Sequence, residues 1–225
     1  MRDKVKEHID MQNVNGNIYY KWIDNDGNRM EFSTSQVWKV FRRNNPKVNW
    51  WHVIWFKQFD PKQAFIIWLA KLNRLNTQDR IQKWMPNQSF KCVLCDKVND
   101  SVNHLFFSCE YSLKVWSSLK HYLLFKGLSN CLIEIIQSLA QYPYTSNIWC
   151  ILNRIVLAAC VYYIWQERNY RIFKKAQRSE GILSDEIVKF VQIKMLTFRV
   201  KQSKAVKCAA KIWKLKLQNS RFCIE

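Results

Sequence analysis

Glycine and proline are scarce in this 225-residue chain, with four of each. So few turn-forming residues exclude a multi-strand sandwich or barrel and point to helices. Long hydrophobic runs are missing too. The longest, Ile155 to Trp165 (IVLAACVYYIW), has 11 residues, where a membrane-spanning helix needs about 20. We read it as a buried core helix and expect no membrane partner. Catalytic signatures are also wanting: there is no G-x-x-x-x-G-K phosphate loop, G-x-S-x-G elbow or H-E-x-x-H pair. The acids Asp24, Asp26, Glu31 and Asp79 have no spacing that nominates a two-metal site, and read as turn and capping residues. No catalytic residue or small-molecule substrate is therefore assigned, and the chain reads as a non-enzyme. No secretory leader opens the sequence, and its eight cysteines do not form a short secreted frame. An intracellular, reducing compartment is expected, where clustered cysteines signify metal more often than disulfides.

Acidic residues are the remaining shortage, 17 against 36 Lys and Arg, for a formal charge of +19. An excess of that size favours polyanionic partners through counterion release, nucleic acid above all, although a solvated basic surface gives the same count. From Arg171 to Glu225 there are 14 Lys and Arg and 4 Asp and Glu, so more than half of the excess lies near the C-terminus. The apolar content, 48%, excludes a disordered chain. The 11 tryptophans are expected to be mostly core anchors rather than base-stacking platforms.

A β-hairpin is predicted first: Asn17–Ile23, a reversal in which Asp26-Gly27 supplies positive φ, then Arg29–Ser33. Ser33, Thr34 or Ser35 caps a helix carrying Val37, Trp38, Val40 and Phe41, which Asn44-Asn45-Pro46 ends. Helical runs follow over Asn49–Phe56, from Pro61, and from Thr77 to a stop at Pro86. Another spans Tyr111 to about Phe125, and longer helices cover Cys131–Ala140, Asn147–Lys175 and Asp185 to about Leu217, with a hinge at Ser179–Ser184. The predicted fold is mainly α, with a small N-terminal β-hairpin and a Cys3His knuckle between helices. The predicted organisation is an N-terminal extension over 1–16, a zinc-binding domain over 17–126 and a basic helical region over 127–225.

Between Lys91 and Glu110 the sequence KCVLCDKVNDSVNHLFFSCE has the spacing C-x2-C-x8-H-x4-C. Two cysteines three apart turn both sulfurs toward one point, and a later His and Cys complete a tetrahedron. Three thiolates and an imidazole suit zinc better than magnesium or calcium. Cys92, Cys95, His104 and Cys109 are therefore the predicted ligands of one structural zinc, a closed site without a vacancy for substrate. His104 and Cys109 would lie about 140° apart on a straight helix, so the backbone must bend between them, with His104 before, and Cys109 at the start of, separate elements. Lys91 and Lys97 flank the first thiolates and offset the site's negative charge. A redox pair or buried free thiols would each leave half of the spacing unexplained. Cys131, Cys150, Cys160, Cys208 and Cys223, with His8, His52 and His121, show no ligand spacing.

The order of segments from DNDGNRMEFSTSQVWKVFR, through WWHVIWFKQFDPKQAFIIWLAKLNRLNTQDRIQKW, to CVLC, HLFFSC and VW resembles the zinc-binding domain of reverse transcriptases from plant LINE-type retrotransposons. The counterparts are Trp51, Ile54 and Trp55; Pro61, Lys62, Phe65, Trp68 and Leu69; and Arg74, Leu75, Thr77, Asp79 and Arg80. The resemblance covers about Asn17 to Leu119, and the family's ligands fall on the same Cys92, Cys95, His104 and Cys109. Ile164–Phe173 (IWQERNYRIF) is similar to a segment that often follows this domain. No Y-x-D-D polymerase signature precedes the hairpin, and Gly27 stands farther from Phe32 and Ser33 than the family pattern has it. The resemblance implies a C-terminal piece of a retrotransposon polyprotein, a host gene derived from one, or a remnant. It also implies RNA or DNA as partner, and the placement of the basic residues then nominates phosphate contacts at Lys62, Lys71, Arg74, Arg80, Lys83, Lys91 and Lys97, beside Lys57 and the lysines from Lys189 to Lys216. A second expectation is protein interaction through an apolar stripe of Ile187, Val188, Val191, Met195 and Phe198.

Overall fold

The computed structural model describes all residues except 1–7, 16, 25, 32, 42–45, 85–89, 125–128, 143–144, 146 and 225. The chain divides into two compact units, Met1–Lys47 and Val48–Glu225. The metal loop and the helices that follow it lie in the second unit.

In the first unit β1 (Ile9–Val14), β2 (Asn17–Ile23) and β3 (Arg29–Met30) form an antiparallel sheet in that order. The reversal before β3 follows expectation: Gly27 has φ +82°, and the Asp24 carboxylate accepts from the Asp26 and Asn28 N–H groups at 2.9 and 2.8 Å. The more extensive pairing, however, is β1 with β2, in a stretch the sequence left as an extension. Trp22 is buried and stacks on His8 at 5.4 Å. α1 spans Thr34–Phe41. The predicted stop at Asn44-Asn45 lies outside the described residues, as do those at Pro86 and Phe125.

The second unit is helical. α2 (Trp51–Ile54) is shorter than predicted, and α3 (Pro61–Lys71) begins where its proline placed it, with the Asp60 carboxylate accepting from the N–H groups of Lys62 and Gln63. One-turn helix α4 (Gln78–Ile81) precedes the metal loop, one-turn helix α5 (Val102–Leu105) lies within it, and α6 (Glu110–Lys120) leaves it. α7 (Leu132–Ala140) leads to α8 (Ile148–Lys174), whose apolar stretch is buried as expected. α8 is long and apolar enough to cross a membrane, yet 78% of its most apolar window is buried inside the unit, as in a core helix. α3, α6, α9 (Glu180–Leu196) and α10 (Lys204–Ile212) pack around it.

The region after 179 corrects the sequence reading twice. Ser179–Ser184 is no hinge: the Ser179 hydroxyl accepts from the Ile182 N–H and starts α9, so Gly181 sits in its first turn. The single helix predicted from Asp185 to Leu217 is three elements. α9 stops where the Thr197 hydroxyl donates to the Lys194 carbonyl, and Ser203 caps α10. A hairpin of β4 (Leu215–Gln218) and β5 (Arg221–Ile224) follows, turning at Asn219 and Ser220, both at positive φ. The stripe of Ile187, Val191, Met195 and Phe198 is buried in the core, with Val188 packed beside it. That face packs on the core of its own unit. Of the tryptophans, Trp22, Trp116, Trp149 and Trp213 are buried and Trp50, Trp68 and Trp165 half-buried, while Trp38, Trp51, Trp55 and Trp84 are exposed.

Candidate metal centre

Four short features bring the predicted ligands together. After Cys92 the chain turns back on itself: the Asp96 N–H donates to the Cys92 carbonyl at 2.7 Å, and the Cys92 N–H to the Val98 carbonyl at 2.7 Å. Asp96 takes φ +55°, which closes the knuckle. Ser101 caps α5 by accepting from the His104 N–H at 3.2 Å, so His104 lies inside this single turn rather than before an element. The predicted bend falls at Phe107, which takes φ +77° while buried and stacked on Trp116 at 4.7 Å. Its N–H donates to the Ser112 hydroxyl, and the Cys109 N–H donates to the His104 carbonyl at 2.8 Å. Cys109 then stands at the start of α6, as expected.

The result is a cluster whose ligand atoms all lie within 4.8 Å of one another. Cys92 Sγ is 3.9 Å from Cys109 Sγ, and Cys95 Sγ is 3.3 Å from His104 Nε2. A tetrahedral zinc with ordinary bond lengths sets sulfurs about 3.8 Å apart and a sulfur and a nitrogen about 3.6 Å apart. The spacing fits that ion. Among the described residues no other group of His, Cys, Asp and Glu converges in this way.

The electrostatics show what a cation would replace. Cys92 is pushed well above its ordinary value, first by its hydrogen bond to Cys109 and then by burial, while the same bond draws Cys109 down. A divalent cation bound between them would replace thiol protons with metal bonds. Burial lowers His104 more than the charge of Asp100 raises it, which favours the neutral imidazole that a ligand must be. The fourth ligand, Cys95, is only partly buried.

Buried charges fasten this loop to α8, and sequence reasoning missed them. The Asp100 carboxylate accepts from Arg168 Nη2 at 2.5 Å and Nε at 3.2 Å and from the Gln78 N–H at 2.9 Å. Arg171 donates to the Val93 and Leu94 carbonyls between the first two ligands, and to Glu167 at 2.8 Å. Glu167 also accepts from the Arg178 N–H and side chain. The available signal was Glu167, Arg168 and Arg171 in a largely apolar helix, since such charges are buried only when paired.

The predicted phosphate contacts are spread over several elements. Lys62, Arg74, Lys83 and Lys91 are exposed, and Lys71 is half-buried at the end of α3. Arg80 donates to the Asn73 carbonyl, and Lys97 is ion-paired with Glu110 at 2.7 Å.

Residues 32–116 match the family described as zinc-binding in reverse transcriptase. The match takes in all four ligands, and it is to a zinc-binding domain rather than to a polymerase domain. No curated protein and no solved structure matches the chain. The match and the Cys3His cluster together define a zinc-binding module.

Proposed function

We propose that this module holds one structural zinc and serves nucleic-acid binding rather than catalysis, in a chain derived from the C-terminal part of a retrotransposon reverse transcriptase of the plant LINE type. The observation that carries the reading is the convergence of Cys92, Cys95, His104 and Cys109 within 4.8 Å inside the matched segment. Four protein ligands leave zinc no open coordination position, so its role is to fix the loop and not to activate water. The charge of +19 supports a polyanion as partner, and the order of the motifs supports RNA or the DNA target of such an element. Three metal-binding thiolates must stay reduced, which supports a reducing intracellular compartment.

The test pairs metal analysis with a salt series. The purified chain should carry one zinc, and its affinity for oligonucleotides should fall steeply between 50 and 200 mM salt, as expected for ~6–10 phosphate contacts. A folded, reduced sample free of zinc overturns the metal assignment, and an affinity indifferent to salt overturns the electrostatic one.

A further inference from the structure

A large hollow of the second unit lies away from the metal loop. It is a groove of about 1250 Å³ between the α2–α3 connection, the start of α8 and the segment joining α9 to α10. Lys57, Lys194, Arg199 and Lys201 line it, and among the described residues no aspartate or glutamate does. Among the described residues none of these four cations is ion-paired with a carboxylate. Phe59, Ile148, Ile151 and Val206 add apolar surface. The wall is held in place, because the Val200 N–H donates to the Ser220 carbonyl at 2.9 Å and pins the 199–201 backbone to the β4–β5 turn. The hollow beside the metal differs: there Glu110 and Glu180 oppose Lys114, Arg171 and Arg178, and the charges largely cancel.

We propose that this groove is the binding site for single-stranded nucleic acid, with phosphates on the four cations and bases against the apolar wall. The inference rests on the nucleic-acid reading above and moves the contact surface from α3, α4 and the metal loop to the junction of α8, α9 and α10. Uncompensated positive charge selects a polyanion. Apolar surface beside it selects a strand whose bases are unpaired and free to turn inward. The volume exceeds the roughly 300–1,000 Å³ of a small-molecule pocket, as an extended ligand requires. A duplex is read by an element inserted into its major groove, about 12 Å wide, and a recess supplies no such projection.

The test is fluorescence anisotropy of the zinc-loaded full chain with labelled single-stranded RNA, single-stranded DNA and duplex DNA of one sequence. Two triple variants with equal charge change are compared, Lys57→Ala/Arg199→Ala/Lys201→Ala in the groove and Lys62→Ala/Lys83→Ala/Lys91→Ala outside it. All six positions are exposed, and zinc content and melting temperature check that both variants fold. The groove variant should bind single strands at least tenfold more weakly, and its log–log salt slope should be shallower by about 2, since each phosphate contact on a single strand contributes ~0.7. The other variant should stay within about twofold of wild type. The RNA and DNA arms show which strand is preferred. If wild type binds no oligonucleotide, the nucleic-acid reading itself falls. If wild type binds and the groove variant matches it, the groove assignment falls alone. Tighter binding of duplex than of either single strand, lost in the groove variant, overturns the single-strand proposal.

Discussion

The metal loop and the α8–α9 pair sit in one compact unit but are ordered by different physics. Residues 91–109 contain one turn of helix, an isolated bridge between Lys91 and Asn99, and two residues forced to positive φ. α8 and α9 bury long apolar faces, among them Leu152, Val156, Val161, Ile164, Leu183, Ile187 and Val191, and each such side chain removed from water contributes roughly 1.5–3 kcal/mol. The loop buries Leu94, Val102, Leu105, Phe106 and Phe107 as well, but most of its length lies outside regular elements, and a cation held by its four candidate ligands would add a cross-link that no backbone ladder supplies there.

The largest effect should follow removal of a ligand. Cys95→Ser should abolish zinc retention and with it a contribution on the order of 10 kcal/mol to order in the loop, read by metal analysis and limited proteolysis between residues 91 and 109. The α8–α9 pair should keep its helical circular dichroism, and simultaneous collapse of both regions would erase the distinction drawn between them. Next in size is Asp100→Ala, which leaves Arg168 charged and buried without its carboxylate. Loss of one partner of such a pair costs about 3–5 kcal/mol, so urea unfolding should shift strongly even with zinc bound. A shift below about 1 kcal/mol would mean that the loop is not fastened to α8 through this pair.

The smallest effect is a pH dependence centred on Glu167. Burial alone would raise its carboxyl, yet the Arg178 N–H and the side chains of Arg171 and Arg178 hold it below the ordinary value of 4.5. A lowered carboxylate stabilises the fold above its unfolded value, and the contribution is lost as pH falls through the folded one. The stability gap between the chain and its Glu167→Gln variant should therefore be widest above pH 4.5 and close in stronger acid. Both are to be measured in the Cys95→Ser background, so that metal release in acid does not enter. A constant gap from pH 6 to pH 3 would assign the effect to packing alone.

Local chemistry was the legible part of this sequence. C-x2-C-x8-H-x4-C gave the four residues that converge, because a knuckle is defined by spacing, and Pro61 gave the start of α3, because proline suits the first helical turn. The partners that were not legible lie far apart in the chain or depend on a single hydroxyl. Asp100 and Arg168 are 68 positions apart, and nothing near either announces the other. The pairing of β1 with β2 lies in a stretch whose polar Asp10, Gln12 and Asn13 gave little strand signal. The break after α9 turns on Thr197 and Ser203, whose capping bonds compete with a helical pattern that otherwise runs on.

Arg154 carries a consequence for how the chain is made. Buried in α8, its guanidinium donates to the carbonyls of His52, Leu139, Tyr142 and Cys150, gathering the ends of α2 and α7 onto one side chain. His52 precedes Arg154 by 102 residues. During translation the first helices of this unit leave the ribosome well before the side chain that fastens them, so they wait unanchored, with Val53 and Ile54 lacking their final cover, until α8 emerges.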